Sequence, residues 1–192
     1  VMQIDAATRR NLELTASLSG GRAGSLLATI DRTVTASGAR LLEQRLSSPS
    51  LRLSSIRGRL DSVSYMAEHR SEASDLREAL RKVPDLDRAL SRLSLDRGGP
   101  RDLAAVRNGL GQAGELAARG YAGELPEDLS TARAALEGHE ELLDLLEDAL
   151  IAEPPLLARD GGFIAPGFDP ELDESRELRD EGRGVIAGMQ AQ

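Results

Sequence analysis

Residues 159–174 have the sequence RDGGFIAPGFDPELDE, and short-range chemistry dictates more of the backbone here than anywhere else in the chain. Gly161-Gly162 and Pro166-Gly167 are turn dipeptides, and turns are the places where glycine and proline are most useful. The apolar pair Phe163-Ile164 lies between them and is bounded on both sides by turn signals. This pattern predicts a short extended segment held between two tight turns.

The same stretch ends with the start of a helix. Asp169 is a favourable N-cap, and Pro170 suits the first helical position because its missing N–H has no helical partner there anyway. Glu171, Asp173 and Glu174 would place negative charge beside the positive end of the helix dipole. We therefore predict a helix that begins at Pro170 and leaves the preceding turns in a set direction.

Composition predicts an all-α protein. The 192 residues suffice for one sizeable domain with a real core, and no cysteine is present to form disulfides or thiolate metal sites. Aromatic residues make up only 2% and tryptophan is absent, so the core must consist of leucine and alanine, as in helix packing. The sequence has no apolar run of about 18 residues and no charged-then-apolar leader. We therefore expect no membrane partner and a cytoplasmic protein.

Charge is distributed unevenly along the chain. Residues 1–110 contain 18 basic and 13 acidic residues, whereas residues 111–192 contain 6 and 19. A basic half is compatible with a nucleic-acid face. The favoured interpretation is a solvated helix face, because the arginines alternate with leucines at helical spacing and no basic run contains interleaved aromatic residues.

Apolar residues recur at spacings of three and four along most of the chain, which indicates amphipathic helices. The predicted rows are Ile56/Leu60/Val63/Ala67, Leu76/Leu80/Val83, Leu86/Leu90/Leu93, Leu103/Val106/Leu110/Ala113, Leu129/Ala132/Leu136 and Leu143/Leu146/Leu150. Asp5, Ser25 and Asp85 are candidate N-caps, and Pro100 is a candidate first helical residue. So many rows require a shared core, and we predict eight or nine helices in one bundle-like domain.

Candidate chemistry is sparse. His69 and His139 have no cysteine or second histidine at ligand spacing, and His139 is interpreted as a surface residue. The acidic residues after Asp169 lack the rhythm of a calcium loop and suit a helix start better. Gly20–Ser25 lacks the Gly-Lys-Ser/Thr ending of a phosphate-binding loop. We therefore predict no catalytic, cofactor-binding or metal residue, and no self-sufficient enzyme.

Five blocks in order give the chain a resemblance to the central helical region of the MutS family. The blocks are Ile4–Leu14, Thr33–Leu42 leading to Leu46 and Pro49, Asp85–Leu93, Pro100–Leu103, and Asp160–Gly162 leading to Glu171–Glu174. Two departures are Ser37, where many members carry methionine, and Ser175, where a bulkier residue is usual. Neither alters the family assignment.

The resemblance implies a role that the residues alone do not. In the MutS family this region is the core or lever domain, between a mismatch reader and connector and a C-terminal ATPase, and it relays ATP state to the DNA end. The parent would bind mismatched double-stranded DNA, ATP and magnesium, form a homodimer and work with a MutL-type partner in the bacterial cytosol. The reader's Phe-x-Glu motif and the ATPase's phosphate loop are absent from these residues.

The resemblance also suggests a division of the chain. Residues 1–168 would be the helical core domain, and residues 169–192 would start a lever helix that is cut before it enters the DNA clamp. Its row Leu178, Gly182, Val185 and Met189 is weakened by glycine, so we expect the tail to fray or repack without its partner helix. The alternative function is a free-standing helical module that binds a partner protein through its apolar rows.

Overall fold

The computed structural model describes residues 2–190, with side chains through residue 182, and it confirms the all-α class. Ten α-helices occur in this part of the chain, one more than the upper limit predicted. They are α1 (Ala6–Asn11), α2 (Leu26–Ile30), α3 (Ala36–Ser47), α4 (Leu53–Glu68), α5 (Arg70–Leu80), α6 (Leu86–Ser94), α7 (Pro100–Ala117), α8 (Glu127–Ala134), α9 (Glu140–Ala149) and α10 (Pro170–Gln190). A short 3-10 turn covers Ala158–Asp160. None of the described helices is both long and apolar enough to cross a membrane.

Side-chain caps begin α1 and α2 at the residues that the sequence predicted. The Asp5 carboxylate accepts the Thr8 N–H at 2.8 Å, which begins α1. The Ser25 hydroxyl accepts the Ala28 N–H at 3.1 Å and begins α2. Each cap satisfies an N–H group that has no partner within its helix. Ser25, the last residue of the Gly20–Ser25 loop, thus serves as a helix cap.

The main core lies between α6, α7 and α9. Five buried residues form it, namely Ala89, Val106, Leu146, Ala149 and Leu150. Leu86, Leu93, Phe163 and Ile164 pack against this cluster from its edges. The predicted rows of α6, α7 and α9 therefore do supply the core. Leu90 of the α6 row is exposed instead, and Ala89 takes the buried position on that helix.

The apolar row of α4 faces solvent, contrary to the prediction that such rows share the core. Ile56, Leu60 and Val63 are all exposed, Val63 by 64%. Tyr65 is the buried residue of this helix, and its hydroxyl donates to the Ala122 carbonyl at 2.8 Å. Periodicity reports that one face of a helix is apolar, but the packing of neighbouring helices decides which face is covered.

Alanine substitutions at two glycines of α7 should change the free energy of unfolding in opposite directions. A Cβ at Gly109 would overlap Cδ2 of Leu86 and would lie 2.8 Å from its Cγ, whereas a Cβ at Gly111 would meet nothing within 4 Å. Gly111→Ala should stabilise the protein by about 1 kcal/mol through helix propensity. Gly109→Ala should instead destabilise it by about 1 kcal/mol, because overpacking outweighs the same gain. Urea unfolding of both variants tests this, and equal stabilisation by the two would contradict it.

Candidate functional site: the anchor of the last helix

The start of α10 has the geometry that the sequence predicted. Asp169 Oδ1 accepts the N–H groups of Glu171 at 3.0 Å and Leu172 at 3.3 Å. Asp173 Oδ2 accepts the Gly167 N–H at 2.6 Å, across the turn that precedes the helix. Gly167 has a φ of 86°, in the left-handed region that favours glycine. The turn and the first helical residues are therefore fastened to one another.

The segment before this turn is held against the end of α9. Leu150 and Ile164 form an isolated antiparallel bridge. The Ile151 N–H donates to the Phe163 carbonyl at 3.0 Å, and the Ala165 N–H donates to the Ala149 carbonyl at 2.9 Å. The predicted extended segment at Phe163-Ile164 is thus confirmed. Its partner, the chain after α9, was not predicted, because pairing between distant segments is a tertiary property.

Arg107 on α7 fastens the same segment from the other side. Its guanidinium donates to the carbonyls of Leu150 at 3.3 Å, Ile151 at 2.9 Å and Ala152 at 2.8 Å. Leu150 is the C-cap of α9, so the positive charge also lies beside the negative end of that helix dipole. Sequence reasoning missed this residue. A weak signal exists, since Arg107 follows Leu103 by four positions and so interrupts the inward face of α7.

Arg176 completes the connection to α10. Its guanidinium donates to the Ile164 carbonyl at 3.0 Å and to Asp173 Oδ1 at 3.0 Å. A continuous series of bonds thus runs from α7 through Arg107 to the chain after α9, across the bridge, and through Arg176 into α10. We call this series the anchor. It fixes the first turns of α10 to the core through backbone carbonyls and two half-buried arginines.

A second junction joins the start of α3 to the start of α6. Arg40 donates to Asp85 Oδ1 at 2.6 Å and Oδ2 at 3.0 Å, and to Asp87 Oδ2 at 2.9 Å. The hydrogen bonds from Arg40 lower the pKa of Asp85, which also caps α6 by accepting the Arg88 N–H. The predicted cap at Asp85 is therefore confirmed, and the same carboxylate links two helices that lie far apart in sequence.

The remaining candidate residues do not converge on a site. His139 is exposed at the start of α9, and His69 stacks on the Tyr65 ring at 4.2 Å between centroids. Asp169 and Asp173 serve the helix start and the turn. Within the residues that the structure describes, no group of three or more histidine, cysteine or acidic side chains could hold a metal ion.

Many arginines of the basic half bind the protein itself. Arg22 pairs with Asp31 at 2.5 Å and Arg92 pairs with Asp102 at 3.1 Å. Arg77 donates to the Arg32 carbonyl at 2.8 Å, which joins α5 to the chain after α2. The solvated-face interpretation therefore needs refinement, because part of the positive charge crosslinks the fold.

The comparison with protein families decides what kind of domain carries this anchor. The family described as MutS domain III matches residues 7–189. The chain belongs to the MutS domain III family. Curated relatives called DNA mismatch repair protein MutS support this over nearly its whole length. Those of Ruegeria pomeroyi and Cereibacter sphaeroides are 70% and 65% identical over 99% of the chain. That of Roseobacter denitrificans is 65% identical over 98%.

This MutS domain III spans 22% of the length of each of those relatives. The match covers 98–99% of the chain, so the anchor lies within the region that these relatives share with it. The predicted tail seam at Val185 and Met189 lies outside the described side chains. Leu178, at its start, is 64% exposed. Fraying of residues 178–192 stays a prediction.

Proposed function

We propose that this chain is the core domain of a MutS-type DNA mismatch repair protein and relays ATP state between an ATPase and the end that binds mismatched DNA. A relay must pass the movement of one end to the other, which requires rigid helices joined by contacts that stay formed during the movement. The observation that carries the proposal is the anchor, which joins α7 of the core to the first turns of α10. The relatives' name, DNA mismatch repair protein MutS, supplies the process in which such a relay would act.

The proposed division of the chain follows the anchor. Residues 1–168 form the core part, and residues 169–192 begin the lever helix. The junction at Asp169 coincides with the turn that Gly167 and Asp173 hold together. Displacement of α10 would therefore pass through Arg176 into the bridge and the α6/α7/α9 core.

The partners and cofactors belong to the parent protein under this proposal. We place the ATP and magnesium sites in its ATPase, because the described residues of this chain offer no cluster of metal ligands and its sequence has no phosphate-binding loop. Mismatched double-stranded DNA would bind through other domains, and the parent would act as a homodimer with a MutL-type partner. Because the relatives are bacterial DNA repair proteins, we place the parent in the bacterial cytosol.

The relay is tested in the full-length parent by removing the last bond of the anchor. Arg176→Ala should leave mismatch binding without nucleotide, and basal ATP hydrolysis, within about twofold of wild type. ATP-induced dissociation from a mismatched duplex with blocked ends should slow several-fold, because motion of one end is no longer passed to the other. Stopped-flow fluorescence of labelled DNA measures this rate.

Arg179→Ala is the matched control, because Arg179 lies on the same helix, is exposed, and pairs with Asp180, its neighbour in sequence. This variant should dissociate at the wild-type rate. If Arg176→Ala also does so, the relay through the anchor is wrong. If Arg176→Ala loses mismatch binding outright, the residue supports the DNA-binding end directly, and the proposed division of labour fails.

A second experiment tests whether this chain binds DNA by itself. Binding of the 192-residue protein to homoduplex and single-mismatch DNA across a salt series should be negligible at moderate salt. Salt-sensitive binding without mismatch preference would show that the basic half contacts phosphates, and the slope would count them. Mismatch preference by this chain alone would contradict the proposal that recognition belongs to other domains.

A further inference from the structure

The outward face of α4 is a continuous apolar strip. Leu53, Ile56, Leu60 and Val63 follow one another at spacings of three and four, and all four are exposed. Leu51, just before the helix, is 61% exposed as well. Scattered apolar residues on a surface are ordinary, but an apolar strip over three turns of a helix marks an interaction surface. We call these five residues the α4 strip.

An open groove with two arginines borders the strip. Arg45 at the end of α3 and Arg59 on α4 line this groove, which has a volume of about 460 Å³ and includes Asp128 of α8. Its other walls are largely apolar, with Val63 and Met66 among them. The groove thus shares Val63 with the α4 strip, and the two surfaces are continuous.

The two guanidinium groups have no strong partner within the described residues. Neither Arg45 nor Arg59 forms an ion pair within 4.0 Å there, although Asp128 lies in the same groove. Burial, and then the charge of Arg59, lower the pKa of Arg45, while Asp128 opposes that shift. Two like charges that face one groove favour the arrival of an anion, and arginine binds carboxylates through paired hydrogen bonds.

We propose that the α4 strip and its groove are the docking surface for a protein segment of the longer parent, outside residues 1–192, that carries apolar side chains beside at least one carboxylate. The apolar residues would cover Leu60 and Val63, and the carboxylate would lie between Arg45 and Arg59. Charge complementarity supports this occupant. So does length, because the chain spans only 22% of its relatives and most of such a parent is available to cover the surface.

Nucleic acid fits the same surface less well. Protein–DNA interfaces are polar and strongly basic, whereas the strip is apolar and the groove contains the carboxylate of Asp128. Single-stranded nucleic acid would call for aromatic side chains on which bases stack, and none lines this groove. A protein segment satisfies both the apolar strip and the two arginines, so it is the occupant that the chemistry favours.

The proposal rests on the proposed function only in taking the chain as part of a longer MutS-type protein, and its test uses neither ATP nor mismatch recognition. In the full-length parent, a photoreactive benzoylphenylalanine replaces Val63 on the strip. The matched control places it at Asp61, which is exposed on the same helix but lies about 160° around the axis. Crosslinked peptides are then identified by mass spectrometry, with and without duplex DNA.

We expect the Val63 probe to crosslink, within one polypeptide, to a segment outside residues 1–192 that contains Asp or Glu next to apolar residues. Its yield should exceed that of the Asp61 probe at least fivefold. Double charge reversal, Arg45→Glu with Arg59→Glu, should lower the yield several-fold, whereas Arg57→Glu on the other flank of α4 should leave it unchanged. The comparison of the Val63 and Asp61 probes keeps Arg45 and Arg59 unchanged. Its result therefore does not depend on whether the charge-reversed variants fold.

Four results would overturn the proposal. They are crosslinking to DNA, crosslinking between two copies of the chain, crosslinking to a segment without acidic residues, and a yield at Val63 no higher than at Asp61. A wild-type dissociation rate for Arg176→Ala, which would disprove the relay, would leave this outcome untouched, because docking of the strip does not require the anchor to transmit motion. The two proposals can therefore fail separately.

Discussion

Replacement of Arg107 by alanine is expected to lower the free energy of unfolding by about 3 kcal/mol, because it leaves three backbone carbonyls without their charged donor. Those carbonyls belong to Leu150, Ile151 and Ala152, where α9 ends and the bridge to Ile164 begins. The substitution should also loosen the bridge. Urea unfolding measures the first effect, and amide hydrogen exchange at Ile151 and Ala165 measures the second.

Arg101→Ala is the matched control for this experiment. Arg101 lies on the same helix and makes a single long hydrogen bond, 3.4 Å, to the Pro154 carbonyl. We expect it to cost less than about 1 kcal/mol, as one weak bond of an exposed side chain should. Equal losses for the two variants, or unchanged exchange at Ile151 in Arg107→Ala, would show that Arg107 does not hold the segment and that the anchor begins elsewhere.

Leu146→Ala is expected to lower the free energy of unfolding by about 3 kcal/mol. Leu146 is 9% exposed and belongs to the core cluster with Val106 and Leu150. Truncation removes its buried methyl groups and leaves a cavity that the helices fill only in part. Thermal and urea unfolding of the variant measure the loss, provided that both report a single transition.

The adjacent residue supplies the control. Leu145 is 51% exposed on the same helix. Leu145→Ala therefore removes the same atoms as Leu146→Ala and changes helix propensity by the same amount, but it creates no cavity. We expect a loss below about 1 kcal/mol. A loss at Leu145 as large as that at Leu146 would mean that the outer face of α9 is covered in solution. The assignment of the core to its inner face would then be wrong.

The helix starts could be predicted because their causes lie within four residues. The cap at Asp5 and the Asp169-Pro170 start each depend on a side chain and a backbone N–H that are neighbours in sequence. The all-α class followed in the same way, from a composition rich in leucine and alanine and poor in strand-favouring residues. The family was predicted from five short sequence blocks that occur in the order typical of it, and the match over residues 7–189 confirms it.

The candidate site was predicted only in part. Asp169, Gly167 and the segment Phe163-Ile164 were identified from turn and cap signals, but Arg107 and Arg176 were not. Their long-range partners are backbone carbonyls, which every residue possesses and which therefore do not stand out in the sequence. An arginine that holds a distant carbonyl and an arginine that faces water look alike until the chain is folded.

By itself, then, the sequence determined where the capped helices begin, which faces are apolar and to which family the chain belongs. Only the tertiary structure decided which apolar face is buried: the row with Leu146 lies in the core, and the row with Val63 lies in solvent, although both have helical spacing. The physical reason is that helix periodicity depends on neighbours three and four residues apart. Burial depends on which helices meet in space, and those contacts join residues that are distant in the chain.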